Sequence, residues 1–240
     1  MLRISWLIAA ICLLCAASPA AGDSGVPFEL DAHRVFVPVR IGDAPPLRLF
    51  LDTGLTYPGI FLFHAEMIDS LDLPELIDVL VPGAGDGEPS EAVLADSVDL
   101  YLGDTVLPMQ WVVISKSERT QDFPSEGIIG GTLFTSFVVE VDYGAMRLRL
   151  HDPGAFAADS SWTSLPIELK RGIPWIDLSV SVEGGEPQAL RVYIDLADDL
   201  PLTLLTGEDR RFAAPAELKE VHLGTGLSGE IRGKIGAVAS

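Results

Sequence analysis

Residues 47–54 read Leu47-Arg48-Leu49-Phe50-Leu51-Asp52-Thr53-Gly54. Leu47 to Leu51 is nearly all apolar, as a buried strand is, and it runs into a turn-forming Asp-Thr-Gly. These residue types suit hydrolysis by two carboxylates. Two aspartates held side by side cannot both ionise easily, so one keeps a proton and serves as acid while the other serves as base. Such a pair titrates as a unit. A threonine hydroxyl next to the aspartate can tie two such loops together. Glycine lets the second loop approach without a Cβ in the way. The tripeptide alone is a weak signal, because Asp-Gly-type turns end many strands. Its surroundings decide the reading.

Downstream, Gly83-Ala84-Gly85-Asp86-Gly87 stands where a flap hairpin over a cleft would lie. It lacks the Gly-Lys-Ser/Thr of a phosphate loop, which leaves a hairpin. Ile128-Ile129-Gly130 is an apolar-apolar-Gly element suited to packing behind the Asp52 loop. The rest of the first half is short alternating runs bounded by turns: Val35 to Ile41, Ser97 to Leu102, Trp111 to Ile114, Phe137 to Val141 and Met146 to Leu150. Helices are expected at Ala65 to Leu71 and near Gly131 to Phe137. So many strands predict a mostly β domain of sandwich or barrel type.

The second half repeats the first. Arg48-Leu49-Phe50-Leu51-Asp52 aligns with Arg191-Val192-Tyr193-Ile194-Asp195, and Pro58 with Pro201. Val81 to Glu88, with Gly83, Gly85 and Gly87, aligns with Val221 to Glu230, with Gly224, Gly226 and Gly229. Three features in the same order predict two lobes related by an approximate two-fold. The second copy has no counterpart of Ser97 to Leu150, so it is expected to be incomplete. Residues 26–152 make the first lobe, 153–166 a linker carrying serine and proline, and 167–240 the second, divergent and truncated lobe.

With these motifs in view, the chain resembles the bacterial retropepsin-like aspartyl proteases with two tandem lobes, relatives of those that carry a PDZ domain. The resemblance rests on Phe50-Leu51-Asp52-Thr53-Gly54, on Gly127-Ile128-Ile129-Gly130-Gly131-Thr132-Leu133-Phe134, and on Phe137 to Tyr143 followed by Leu148 and Leu150. It implies a closed acid-protease β-barrel and an aspartic endopeptidase that needs no cofactor. By this similarity Asp52 is the catalytic carboxylate, Thr53 the bridging hydroxyl and Gly54 the close-approach position, with Asp195 as the second carboxylate. Gly83, Ala84 and Gly85 form the substrate-covering flap. The partner implied is a peptide or protein substrate. Two departures stand out. Leu55-Thr56 follows the motif where family members commonly have Ala-Ser, and the second loop reads Asp195-Leu196-Ala197, without hydroxyl or glycine.

Three arrangements follow. Asp52 and Asp195 form a pair within one chain; or two chains pair as a homodimer through two copies of Asp52; or the site is catalytically inactive and binds peptides or proteins only. Loss of the hydroxyl and glycine on one side favours the last, since a misplacement near 1 Å can cost ~10²-fold in rate. The intact first loop favours an active protease.

Composition limits the alternatives. The 240 residues are 48% hydrophobic and 21% charged, enough for a sizeable core and unlike a disordered chain. Arg3, the apolar run Ile4 to Ala17 and the small residues Ser18-Pro19-Ala20-Ala21 have the order of a secretory signal peptide, residues 1–21. Export to a periplasm or the extracellular medium is expected, with no membrane association beyond that leader. Both cysteines, Cys12 and Cys15, lie within it. The mature chain then has neither disulfides nor thiolate chemistry. The net charge of −19 excludes nucleic acid as a partner, since phosphate binding needs clustered Lys and Arg. His33, His64, His151 and His222 show no ligand spacing, so no metal is expected. The four tryptophans, Trp111 and Trp175 among them, read as core residues.

Overall fold

A computed structural model describes residues 25–181, 186–200, 202–203 and 218–235. The leader, the Gly184-Gly185 turn and Pro201 lie outside these residues. In chain order the first half holds β1 (Val26–Pro27), β2 (Glu29–Asp31), β3 (Arg34–Ile41), β4 (Leu47–Leu51), β5 (Gly59–Leu62), α1 (Met67–Ser70), β6 (Leu76–Val81), β7 (Ser90–Leu102) and β8 (Thr105–Ser115). It continues with β9 (Gly127–Ile129), α2 (Gly131–Ser136), β10 (Val138–Asp142) and β11 (Arg147–His151). After residues 152–167, which carry neither helix nor strand, come β12 (Glu168–Lys170), β13 (Ile173–Val180), β14 (Gln188–Tyr193), β15 (Lys219–Gly226) and β16 (Gly229–Ile235).

The chain is mostly β and contains a closed barrel. Strands β3, β4, β9, β5, β8 and β7 follow one another through hydrogen-bonded pairs, and β7 pairs back onto β3 to close the ring. Closure removes the free edges that an open sheet leaves exposed. Two neighbours are parallel: β4 with β9, and β5 with β8.

Strand β7 serves two structures. Ser90 to Ala95 pairs with β6 in a projecting hairpin, whereas Leu100 to Leu102 pairs with β3 in the barrel wall. Between these segments its register against β8 shifts, and Ser97 takes a φ of 61°. A bulge of this kind bends a strand and lets one chain segment change direction without ending.

The barrel interior is aliphatic. Leu49, Leu51, Ile60, Leu62, Leu100, Leu102, Ile114, Ile129, Leu133 and Leu148 are fully buried in one cluster. Each such side chain contributes about 1.5–3 kcal/mol by leaving water. A second, smaller cluster of Leu55, Phe61, Phe63, Ala92, Val113 and Ile128 lies on the other side of β4 and β5, with Tyr57, Val79, Val81 and Leu227 packed against it.

Residues 168–235 are built more sparsely. Strands β12, β13 and β14 form an antiparallel sheet, and β15 with β16 a separate hairpin. Among the described residues of this part, Ser228 alone is fully buried. Two similar aromatic pairs precede the two aspartates. Phe36 on β3 faces Phe50 on β4 edge-on, ring centres 5.6 Å apart, two residues before Asp52. Trp175 on β13 faces Tyr193 on β14 edge-on at 5.4 Å, two residues before Asp195.

The tryptophans depart from the core reading. Trp111 is 37% exposed and Trp162 is 50% exposed, while Trp175 is half-buried. Trp111 falls on the outward side of β8, where Gln110 and Val112 point inward, so alternation along the strand places it outside.

Candidate active site

Strand β4 delivers Asp52 to the top of the barrel. Its last residues run parallel to β9, and the Asp52 amide donates to the Ile129 carbonyl at 2.9 Å. Behind the loop lies Gly130. A Cβ there would sit 1.8 Å from the Asp52 carbonyl oxygen, so no larger residue fits. The apolar-apolar-Gly element thus supports the loop through its backbone.

The Asp52 side chain is held in the same way. Its Oδ1 accepts from the Gly54 amide at 2.7 Å. The second loop repeats this turn, with Asp195 Oδ1 accepting from the Ala197 amide at 2.9 Å. Both are side chain-to-backbone turns two residues long, for which aspartate is well suited.

Thr53 joins the two loops. Its buried hydroxyl donates to the Ile194 carbonyl at 2.6 Å and accepts from the Leu196 amide at 3.2 Å. The hydroxyl therefore uses its donor and an acceptor site on residues flanking Asp195. A reciprocal bond would need a hydroxyl at position 196, and Leu196 instead packs against the main core cluster. Arg34 offers further support from the first half. Its Nε donates to the Ala197 carbonyl at 2.7 Å, and its guanidinium pairs with Asp199 at 3.4 Å.

Burial first, with the nearby charge of Asp195, pushes the Asp52 carboxyl up to about 6 against the bond from the Gly54 amide. Asp52 is thus inclined to hold a proton at mildly acid pH. Tyr57, five residues on, is half-buried with its hydroxyl out of water, and that hydroxyl is raised by burial and by Asp52.

The glycine-rich segments of the two halves meet one another. Gly83 donates to Ser228 Oγ at 3.0 Å, the Ser228 amide to the Ala84 carbonyl at 2.9 Å, and Gly87 to the Ser228 carbonyl at 2.6 Å. Ser90 Oγ and an Arg119 guanidinium nitrogen both donate to the Leu227 carbonyl. A Cβ on Gly85 would lie 2.4 Å from the Gly229 nitrogen, and one on Gly226 2.2 Å from the Ala84 oxygen. The tips are glycine-rich because backbone meets backbone there.

All seven residues singled out from the sequence lie in these two assemblies: Asp52, Thr53, Gly54 and Asp195 in the paired loops, and Gly83, Ala84 and Gly85 in the hairpin tip. Tyr57, Arg34, Arg119 and Ser228 were not found from the sequence. A lone tyrosine or arginine carries no spacing signal, and their partners are remote in the chain. Among the described residues no group of three His, Cys, Asp or Glu side chains is gathered to hold a metal ion, and no helix is long and apolar enough to cross a membrane. No protein-family model and no curated protein matches the chain.

Proposed function

We propose that the chain is a retropepsin-like aspartic endopeptidase whose carboxylate pair, Asp52 and Asp195, forms within one polypeptide. The bridge from the Thr53 hydroxyl to Ile194 and Leu196 carries this reading, because it fastens the loop of one aspartate to the loop of the other. It favours the single-chain pair over a homodimer built from two copies of Asp52.

In the mechanism, a water molecule lies between the carboxyls and an extended peptide lies above them. Asp195 takes a proton as the water oxygen bonds to the peptide carbonyl carbon. Asp52, inclined to be protonated, gives its proton to the carbonyl oxygen. The tetrahedral intermediate then collapses. Its C–N bond breaks as Asp195 gives its proton to the nitrogen and a hydroxyl proton of the intermediate returns to Asp52, leaving a carboxylic acid and an amine. In this reading the hairpin tips act as the cover and exclude bulk water, which strengthens these interactions.

The second reading is a peptide-binding domain without catalysis. Leu196 and Ala197 favour it, since they leave the second loop without hydroxyl or glycine.

The test is cleavage of a peptide library by residues 22–240 across pH 3 to 7, beside Asp52→Asn and Asp195→Asn. Cleavage abolished by either substitution supports the single-chain pair. Retention with Asp195→Asn points to the dimer. No cleavage by the unsubstituted chain, with peptides still bound, leaves the binding domain.

A further inference from the structure

Among the described residues, three buried side-chain polar atoms have no hydrogen-bond partner: Tyr57 Oη, Gln110 Oε1 and Trp175 Nε1. Burying a hydroxyl unpaired costs about 1–3 kcal/mol, so such atoms are rare and call for a reason. Gln110 lies on β8 with its amide nitrogen bonded to the Pro108 carbonyl, in the barrel wall. Tyr57 is different, because it belongs to the loop that carries Asp52.

Its surroundings fix it in place. The ring stands 5.9 Å from that of Trp111 and packs against the smaller apolar cluster, which Val79 and Val81 of the β6 hairpin and Leu227 of the opposing tip also cover. Tyr57 thus shares its cluster with the hairpins whose tips meet at Ser228. Its hydroxyl and the Asp52 carboxylate are close enough to influence one another electrostatically, yet no hydrogen bond joins them. An unpaired donor that feels the Asp52 carboxylate is suited to an acceptor that arrives with the substrate.

We infer that Tyr57 is a substrate-binding residue whose hydroxyl donates a hydrogen bond to a main-chain carbonyl of an extended peptide in the cleft. A main-chain acceptor suits the position, since every peptide carries one whatever its side chains. This inference rests on the peptide-cleft reading above, and it holds whether the bound peptide is cleaved or only held.

The experiment compares Tyr57→Phe with the unsubstituted residue in two settings. In the first, a fluorescein-labelled peptide mixture from casein is titrated with Asp52→Asn and with Asp52→Asn/Tyr57→Phe, so that binding is read without turnover. Loss of the hydrogen bond is expected to weaken binding about 10-fold. In the second, casein cleavage by Tyr57→Phe is expected to show a KM raised by a similar factor, with kcat within about twofold, as for a contact made equally in ground and transition states. The phenyl variant keeps the ring and removes only the unpaired hydroxyl, so its melting temperature should not fall. Equal binding of the two Asp52→Asn proteins would overturn the inference while leaving the protease reading to its own test. Tyrosine-dependent binding without any cleavage would keep the inference and remove the catalysis. Absence of peptide binding by every protein would overturn both.

Discussion

The Thr53 hydroxyl and the Ile194 carbonyl, 141 residues apart in the chain, are joined at 2.6 Å. This contact binds the end of β4 to the end of β14 and so sets the spacing of the two aspartates that follow those strands. Removing the hydroxyl with Thr53→Val leaves the Ile194 carbonyl and the Leu196 amide without it. The expected cost is about 1–3 kcal/mol of stability, read as a lower melting temperature. Activity should fall at least ~10²-fold in kcat, since the carboxyls lose their mutual placement. Thr53→Ser keeps the hydroxyl and should recover most of both. Equal behaviour of the valine and serine variants would show that the bridge does not position the pair.

The raised Asp52 carboxyl gives a definite pH dependence. An ordinary aspartate ionises near 3.9 when unfolded, and Asp52 does so at about 6 when folded. Between these values the folded protein holds a proton that the unfolded chain has lost. Stability from this group is therefore fully present below about pH 4 and is lost as pH rises through 6. The difference amounts to about 3 kcal/mol at most. Asp52→Asn, which cannot ionise, should melt higher than the unsubstituted protein at pH 7.5, with the gap closing towards pH 4. Thermal melts across that range check the sign. Cleavage should decline over the same window as the pair loses its shared proton.

The second loop invites repair. Leu196→Thr with Ala197→Gly restores the residue types found beside Asp52. A hydroxyl at 196 can return the bond that Thr53 now makes alone, and kcat should rise by about 10-fold, the scale of one well-placed contact. Leu196 packs against the barrel core, so the double variant should also lose about 1–3 kcal/mol of stability. Steady-state kinetics beside thermal melts separate the two effects. An unchanged or lower kcat would mean that the second loop does not limit the reaction.

Ser228 ties the hairpin tips by three bonds, and only one uses its side chain. Ser228→Ala removes the acceptor of the Gly83 amide and leaves the two backbone bonds. Hydrogen exchange at Gly83 should quicken by about 10-fold, with the barrel strands β4 and β9 unaffected. Faster exchange throughout the chain would show global destabilisation rather than a looser contact.

Much of this architecture was legible because it is local. The apolar run Leu47 to Leu51, the loop after it and the helix at Gly131 each carry a pattern within a few residues. The repeat was legible because Arg191 to Asp195 copies Arg48 to Asp52 in residue type. Other features depend on partners far away. Reading Ser97 to Leu102 as a strand missed that β7 begins at Ser90, because the bend at Ser97 interrupts the alternation while the pairing continues. The role of Ser228 depends on Gly83 and Gly87, and that of Arg34 on Ala197. Tyr57 stands out only through what its hydroxyl lacks, which no linear pattern records.

The two hairpins whose tips meet at Ser228 are not equally rooted. Strand β7 continues from its tip into the wall of a closed barrel, whereas among the described residues β15 and β16 pair only with one another. When tips so mounted separate, the stiffer one stays and the softer one travels. The contact between the tips therefore has one stiff side and one soft side. On the peptide-cleft proposal, a substitution that braces the β15–β16 flank should slow peptide entry, read as a lower association rate.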